Sequence, residues 1–337
     1  MTGNGATATR TEALAELRDS DRFILVTHEN ADGDALGSLV AMHEILSTLG
    51  KDSVMFMSSD ELPLPYEYRF FQLVGLMTTL PDDVEERTIV FLDCGNIDRN
   101  PADVLKREGA HIVNIDHHHD NTLFGTVNHV VPDASCTAEI VWDLMRGLGV
   151  EPTQTIAEAL YVGLVTDTGK FMYENTSPRA HRMAAELIEA GVNAHQVYRH
   201  LYEGVPLAKL ELLGRALAAL ERHADGALAM VSLKREDFEA VGAADSDGEG
   251  IIDHLRSLDG TKVAAFARTL DRAGSDGEVQ RKVSLRSTDG SVDVSVIARA
   301  GGGGGHRRAA GFTTSLPHAE LLSFLLGEIA AQTPRPS

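Results

Sequence analysis

The stretch RFILVTHENADGDALGS, residues 22–38, decides the architecture. Arg22–Thr27 is a short apolar run of the kind that forms a buried strand, and a polar turn follows it at once. From Ala35 to Leu49, Leu36, Leu39, Val40, His43, Ile45 and Leu46 recur at helical spacing, and Gly50 stops the helix. The same alternation continues downstream. Apolar runs at Ser53–Met57, Thr88–Leu92 and His111–Ile115 predict strands, and Pro101–Arg107, Thr137–Leu148 and Thr153–Val165 predict helices. Strands alternating with helices build an α/β domain with a mostly parallel sheet flanked by helices.

Beyond Pro178 the pattern is helical to about Arg222, with Leu207, Leu210, Leu213, Leu217 and Leu220 marking a long connecting helix. A second, smaller α/β unit follows. Ala227–Leu233, Lys262–Leu270 and Val279–Ser287 predict strands, Ala273–Gly277 a turn, and Val292–Arg299 and Leu316–Ala331 helices. The expected division is a first domain over 1–200, a connector over 201–223 and a C-terminal domain over 224–333, with a fraying tail from Gln332 to Ser337.

With 337 residues the chain is long enough for two cores. No apolar run approaches the roughly 20 residues of a membrane helix, and Met1–Arg10 has no apolar signal core. Cys94 and Cys136 alone make no disulfide framework, so a cytoplasmic setting is expected. The net charge of −20 argues against binding long duplexes, which needs Lys and Arg against phosphates. A small anionic substrate remains compatible where bound cations make the site locally positive.

Four sites collect hard metal ligands at expected strand ends: His28, Asp32 and Asp34 after the first strand, Asp93, then Asp116-His117-His118-His119, and Asp167. Open α/β sheets place their active sites at carboxyl ends of strands. One aspartate there is ordinarily a turn or a helix cap, but four such sites in one domain are a different matter. Aspartate and histidine together suit manganese or a similar divalent ion. Two ions about 3.5–4 Å apart hold both the attacking and the leaving oxygen of a phosphoryl displacement. His43, on an apolar helical face, reads as a packed residue, and so does Cys136, which lies where a helix should begin with Ser135 or Thr137 as its cap.

His28-x-x-x-Asp32-Gly-Asp34-Ala-x-Gly37-Ser38, Asp93, Asp116-His117-His118-x-x-Asn121 and Thr166-Asp167-Thr168-Gly169 resemble, in order and spacing, the motifs of the DHH phosphoesterase superfamily. The resemblance implies that His28, Asp32 and Asp93 hold one metal. Asp34, Asp93, His117 and Asp167 would hold the other, with Asp93 bridging. His118 would face the substrate phosphate, and Asp116 would orient the neighbouring histidines. Two positions depart from the family pattern: Ala31 stands where relatives often have Pro, and Met172 where they often have Arg. The first change is mild; the second bears on substrate range.

The tract Gly301–Gly305, followed by His306-Arg307-Arg308-Ala309-Ala310-Gly311, lies inside the second unit. Consecutive glycines let several backbone N–H groups turn toward one anion. Gly302, Gly303, Gly304, Gly305 and His306 with Ala309-Ala310-Gly311 also resemble the signature of the domain that accompanies one DHH subfamily, and Ser284–Ser287 resembles its strand motif. That likeness implies that Arg286 and His306 grip the substrate across an interdomain cleft, while Arg299, Arg307 and Arg308 are surface charge.

The subfamily most similar in layout is the stand-alone oligoribonuclease that also dephosphorylates 3′-phosphoadenosine 5′-phosphate, with cyclic di-AMP phosphodiesterases close by. The expectation is a two-metal hydrolase acting on small nucleotides or short single-stranded oligoribonucleotides. A homodimer is left open. The alternatives are a family-II inorganic pyrophosphatase, a RecJ-like exonuclease, and a nucleotide sensor without turnover. The intact ligand set disfavours the sensor.

Overall fold

The computed structural model describes residues 7–100, 102–273, 278–305 and 307–332. The expected turn beyond Ala273, the tail beyond Gln332, and His306 lie outside the described residues. Two compact units divide the chain, Met1–Gly204 and Val205–Ser337.

The first unit opens with α1 (Arg10–Asp19), which the sequence reading passed over although Thr9 and Glu12 form a capping box at its start. Then come β1 (Arg22–Val26), α2 (Gly33–Thr48), β2 (Asp52–Phe56), β3 (Leu76–Met77), β4 (Thr88–Leu92), β5 (Ile112–Asp116) and β6 (Val127–Val130). Four helices follow: α3 (Thr137–Leu148), α4 (Gln154–Asp167), α5 (Pro178–Glu189) and α6 (Ala194–Tyr202). The sheet order is β3-β2-β1-β4-β5-β6, with every pairing parallel. The order reverses between β1 and β4, so the chain leaves their carboxyl ends in opposite directions and opens a crevice there.

Side chains alternate across β1. Phe23 and Leu25 face the main core with α1 to α6, whereas Ile24 and Val26 face a smaller cluster with Phe91, Leu105 and Ile112. Short 3₁₀ turns contribute to that second face. The helix expected at Pro101–Arg107 is one of them: Asp103–Lys106 is a 3₁₀ turn in which Leu105 alone is buried, and Pro101 lies outside the described residues. So short a segment with one anchor does not repay the cost of an α-helical nucleus.

A second correction concerns Asp167. It does not end a strand; it is the last residue of α4. The apolar run before it, Leu160 to Val165, is buried as a helix on α2. Small residues permit that packing. A Cβ on Gly37 would stand 2.3 Å from the Ala159 carbonyl oxygen, and one on Gly163 would stand 2.7 Å from the Ala138 Cβ.

The second unit contains α7 (Leu207–Ala218), β7 (Glu221–His223), β8 (Leu228–Leu233), α8 (Arg235–Glu239), α9 (Ile251–Arg256), β9 (Val263–Ala273), β10 (Val279–Ser287), α10 (Val294–Ala300), β11 (Gly304–Gly305), β12 (Ala309–Thr314) and α11 (His318–Gln332). Its sheet runs β11-β12-β10-β9-β8-β7 and is antiparallel except for the β8–β9 pair. Leu228 and Met230 face the core with α10 and α11; Ala229 and Val231 face the one with α7 to α9. Among the described residues, no helix is long and apolar enough to cross a membrane.

The α2–α4 contact yields a paired expectation. Gly37→Ala forces two helix backbones apart and costs about 1–3 kcal/mol. Gly214→Ala, on α7 where a Cβ meets nothing within 4 Å, is neutral or stabilises by up to about 1 kcal/mol. Urea denaturation of both variants checks the contrast.

Candidate metal centre

The carboxyl ends of β1, β4 and β5 and the end of α4 bring the expected residues of the first unit together. Asp32 caps α2, its Oδ1 accepting from the Asp34 and Ala35 amides at 3.0 and 3.1 Å. This bend directs the chain from β1 into α2 and puts Asp34 in the first turn of the helix. Asp34 is 1% exposed. Its carboxylate accepts from the amides of Thr137 and Ala138 at 2.7 and 2.8 Å, the first two residues of α3. The positive end of one helix therefore holds an acid carried by another. Gly163 leaves the room, since a Cβ there would lie 2.8 Å from Asp34 Oδ1.

Asp93 follows β4 in left-handed backbone, with φ of 56°. An L-residue holds that conformation at a cost of about 1 kcal/mol or more, a pattern common at functional sites. Its carboxylate accepts from the Thr137 hydroxyl at 3.0 Å. Nε2 of His28, Nε2 of His117 and Nδ1 of His118 each lie 3.6 Å from it. Asp116, fully buried at the end of β5, meets His118 Nδ1 at 2.8 Å and accepts from Asn121 Nδ2 at 2.6 Å. His117 Nε2 is 3.9 Å from Asp167 Oδ2. Asn175 Nδ2 donates to that same oxygen at 2.9 Å and to the Ser135 carbonyl at 2.8 Å.

Three sets of donor atoms lie within 4.8 Å of one another: His28, Asp32 and Asp93; Asp34, His117 and Asp167; and Asp93, His117 and His118. Oxygen and imidazole donors fit a divalent ion of the manganese or magnesium kind. The electrostatics demand positive charge. Burial, then Asp93 and Asp167, push the Asp34 carboxyl well above its usual range. Burial is also the chief cause that raises Asp167, to about 7, despite His117. Burial would raise Asp93 too, but contact with His28 and the charges of His118 and His117 outweigh it and hold the carboxyl far below the usual range. His118 is raised to about 9: burial opposes its charge, but the Asp116 hydrogen bond and Asp93 prevail.

Thr137, Asn175 and Asn121 take part here without having been singled out for these roles. Thr137 was read only as a cap, and its link to Asp93 spans 44 positions of sequence. No local signal points to Asn175. His43 is a packed residue, with Nδ1 2.8 Å from the Ser53 hydroxyl. Cys136 is fully buried.

In the second unit Arg286 lies on β10 opposite Ala309 of β12, in a pocket that Arg268, Lys282 and Ser284 also line. The glycine tract is no loose linker. Gly304 and Gly305 pair with Gly311 and Ala310, and a Cβ on Gly303 would stand 2.2 Å from the Gly311 carbonyl oxygen. Close strand packing thus requires glycine at 303 whatever the tract binds, and Gly302 holds a φ of 82°.

The DHH family, N-terminal domain, matches residues 22–164, and the DHHA1 domain matches residues 238–331. The bifunctional oligoribonuclease and PAP phosphatase NrnA of Thermus thermophilus is 33% identical over 293 residues, covering 86% of this chain and 83% of that protein. Its Bacillus subtilis namesake is 27% identical over 306 residues, covering 90% and 92%. An exopolyphosphatase-related protein from Bacteroides fragilis shares the fold, with a TM-score of 0.80 at 22% identity over 95% of this chain and 96% of that one.

The pKa shifts set a pH dependence for the protein stripped of metal. A carboxyl raised in the folded state binds its proton more tightly there than in the unfolded chain, so its contribution is lost as pH rises. For Asp167 the window runs from about 4 to about 7; for His118 it runs from about 6.5 to about 9. Chelator-treated protein should be less stable at pH 7.5 than at pH 5.5, and manganese should restore more stability at the higher pH. Denaturation at both pH values, with and without manganese, checks this.

Proposed function

This chain belongs to the DHH family of phosphoesterases, and on that premise we propose that it hydrolyses short oligoribonucleotides and 3′-phosphoadenosine 5′-phosphate with two manganese ions. One observation carries the reading: His28, Asp32 and Asp93, and Asp34, His117 and Asp167, form adjoining donor sets. Two divalent cations there supply Lewis acidity that activates water and neutralises phosphoryl oxygens.

The chain's own residues do the rest. Asp93 would serve both ions, and its left-handed backbone and the Thr137 hydroxyl fix its carboxylate. His118 faces the substrate phosphate. Asp116 holds its Nδ1, which keeps the ring oriented and favours the charged form. A cationic imidazole there stabilises the charge building on the phosphoryl oxygens and is able to deliver a proton to the leaving oxygen. In the second unit, Arg286, the Gly302–Gly305 tract and His306 are the residues this reading assigns to substrate binding. Cyclic di-AMP or its linear product belongs to the same substrate class. Cys94 and Cys136 are buried free thiols, which suits a reducing, cytoplasmic setting.

Pyrophosphatase and RecJ-like activities are less well supported, because the Thermus thermophilus and Bacillus subtilis relatives, which match most of this chain in sequence, are oligoribonucleases by name. A panel of dinucleotide, 3′-phosphoadenosine 5′-phosphate, cyclic di-AMP and pyrophosphate, with manganese and then with chelator, tests the reading. Turnover of the first two, abolished by chelator, is expected; pyrophosphate as the sole substrate would overturn it.

Two variants separate the roles within the centre. Asp93→Ala should abolish turnover and lower bound metal. His118→Ala should cost about 10²–10⁴-fold in kcat with metal content nearly intact. Metal analysis beside steady-state kinetics distinguishes them.

A further inference from the structure

Four of the six tyrosines gather on one flank of the carboxylate cluster in the first unit. The Tyr68 phenol hydrogen-bonds the backbone at Gly33 and feels the charge of Asp32 and its neighbour Tyr202. The Tyr202 ring centroid lies 5.2 Å from that of Tyr198, and the phenol also feels the charge of Tyr173. The Lys170 ammonium sits 4.3 Å from the centroid of the Tyr202 ring. Aromatic side chains therefore flank the cluster on the side of Asp32 and Gly33.

The segment that delivers Tyr173 is strained. After Asp167, Gly169, Lys170 and Phe171 all take left-handed backbone, with φ of 54°, 62° and 64°. Two of the three are not glycine, and each such residue is disfavoured. The surroundings hold the turn in place. The Lys170 amide donates to the Val165 carbonyl at 2.8 Å, the Tyr173 amide to the Thr168 carbonyl at 3.0 Å, and Phe171 stacks on His181. Asn175 returns the chain to the Asp167 carboxylate. The turn leaves Met172 82% and Tyr173 51% exposed. One edge of the Tyr173 ring lies against Gly169, where a Cβ would come within 2.5 Å of it. The turn packs Phe171 inward and leaves Met172 and Tyr173 largely exposed six residues or fewer from Asp167.

We propose that Tyr173, backed by Tyr202 and Lys170 and extended by Met172, is the stacking face for the nucleobase of the substrate whose phosphate engages the metal centre. The proposal rests on the phosphoesterase reading above and adds the base to it. A nucleobase fits this surface for three reasons. It is neutral, so the net charge of −20 does not repel it. It presents a π face in every sequence, so one aromatic serves all substrates. The aromatic side chains also flank the ligands themselves, so a base linked by one sugar to a bound phosphate reaches them without a second binding unit.

The test compares equilibrium binding of AMP and of ribose 5-phosphate to manganese-loaded protein by calorimetry. The wild type should favour AMP by roughly 5- to 100-fold, the worth of one stacked base. Tyr173→Leu, which still covers Gly169 but has no ring, should erase that preference while leaving ribose 5-phosphate binding and metal content unchanged. Tyr173→Phe should keep it. Equal preference in wild type and Tyr173→Leu overturns the proposal, and so does a wild type that does not distinguish the two ligands. Failure of the wild type to hydrolyse any nucleotide in the panel above overturns the functional reading instead.

Discussion

A buried carboxylate needs donors on its oxygens, and Asp34 has that need met in part in an unusual way. Two backbone amides at the start of α3 point at it from another helix, and these are donors that no side-chain motion can withdraw. That fixed pair lets α2 carry an acid into the interior beside Asp93 and Asp167. The same first turn of α3 supplies the Thr137 hydroxyl to Asp93. One helix end thus sets the separation of two acids whose mutual repulsion the free protein must otherwise bear.

The remainder of the first unit reads as what is needed to bring that helix end into range. Gly37 and Gly163 remove Cβ atoms where α2, α3 and α4 meet. The order reversal beside β1 opens the crevice at the carboxyl ends. Asp116, itself held by Asn121, fixes one ring nitrogen of His118. A buried acid therefore orients an imidazole that lies beside Asp93.

Much of this was legible from residues 22–38, because a strand, a turn rich in ligands and a helix write three different periodicities in succession. Asp93 and Asp116 were legible for the same reason, each closing an apolar run. Asp167 was grouped with residues that end strands, although the helix expected over Thr153–Val165 leads straight to it and forms as α4. Four ligand-type residues after apolar runs suggested one common setting, and the fourth differs because its apolar run is helical. Thr137 and Asn175 act through partners more than seven residues away, so local pattern carries no trace of them. The glycine tract illustrates the converse. Its sequence suggested an anion cradle, and strand packing independently requires glycine at 303.

The placement of Asp167 at the end of α4 has a consequence for synthesis. The centre draws on residues from His28 to Asp167, and its last contributor is the final residue of a helix formed after every strand of the first sheet. As the chain emerges from the ribosome, the early aspartates and histidines appear together with no complete second donor set. The set of Asp34, His117 and Asp167 is complete only once α4 docks on α2, so the assembled cluster reports that these two helices have packed together.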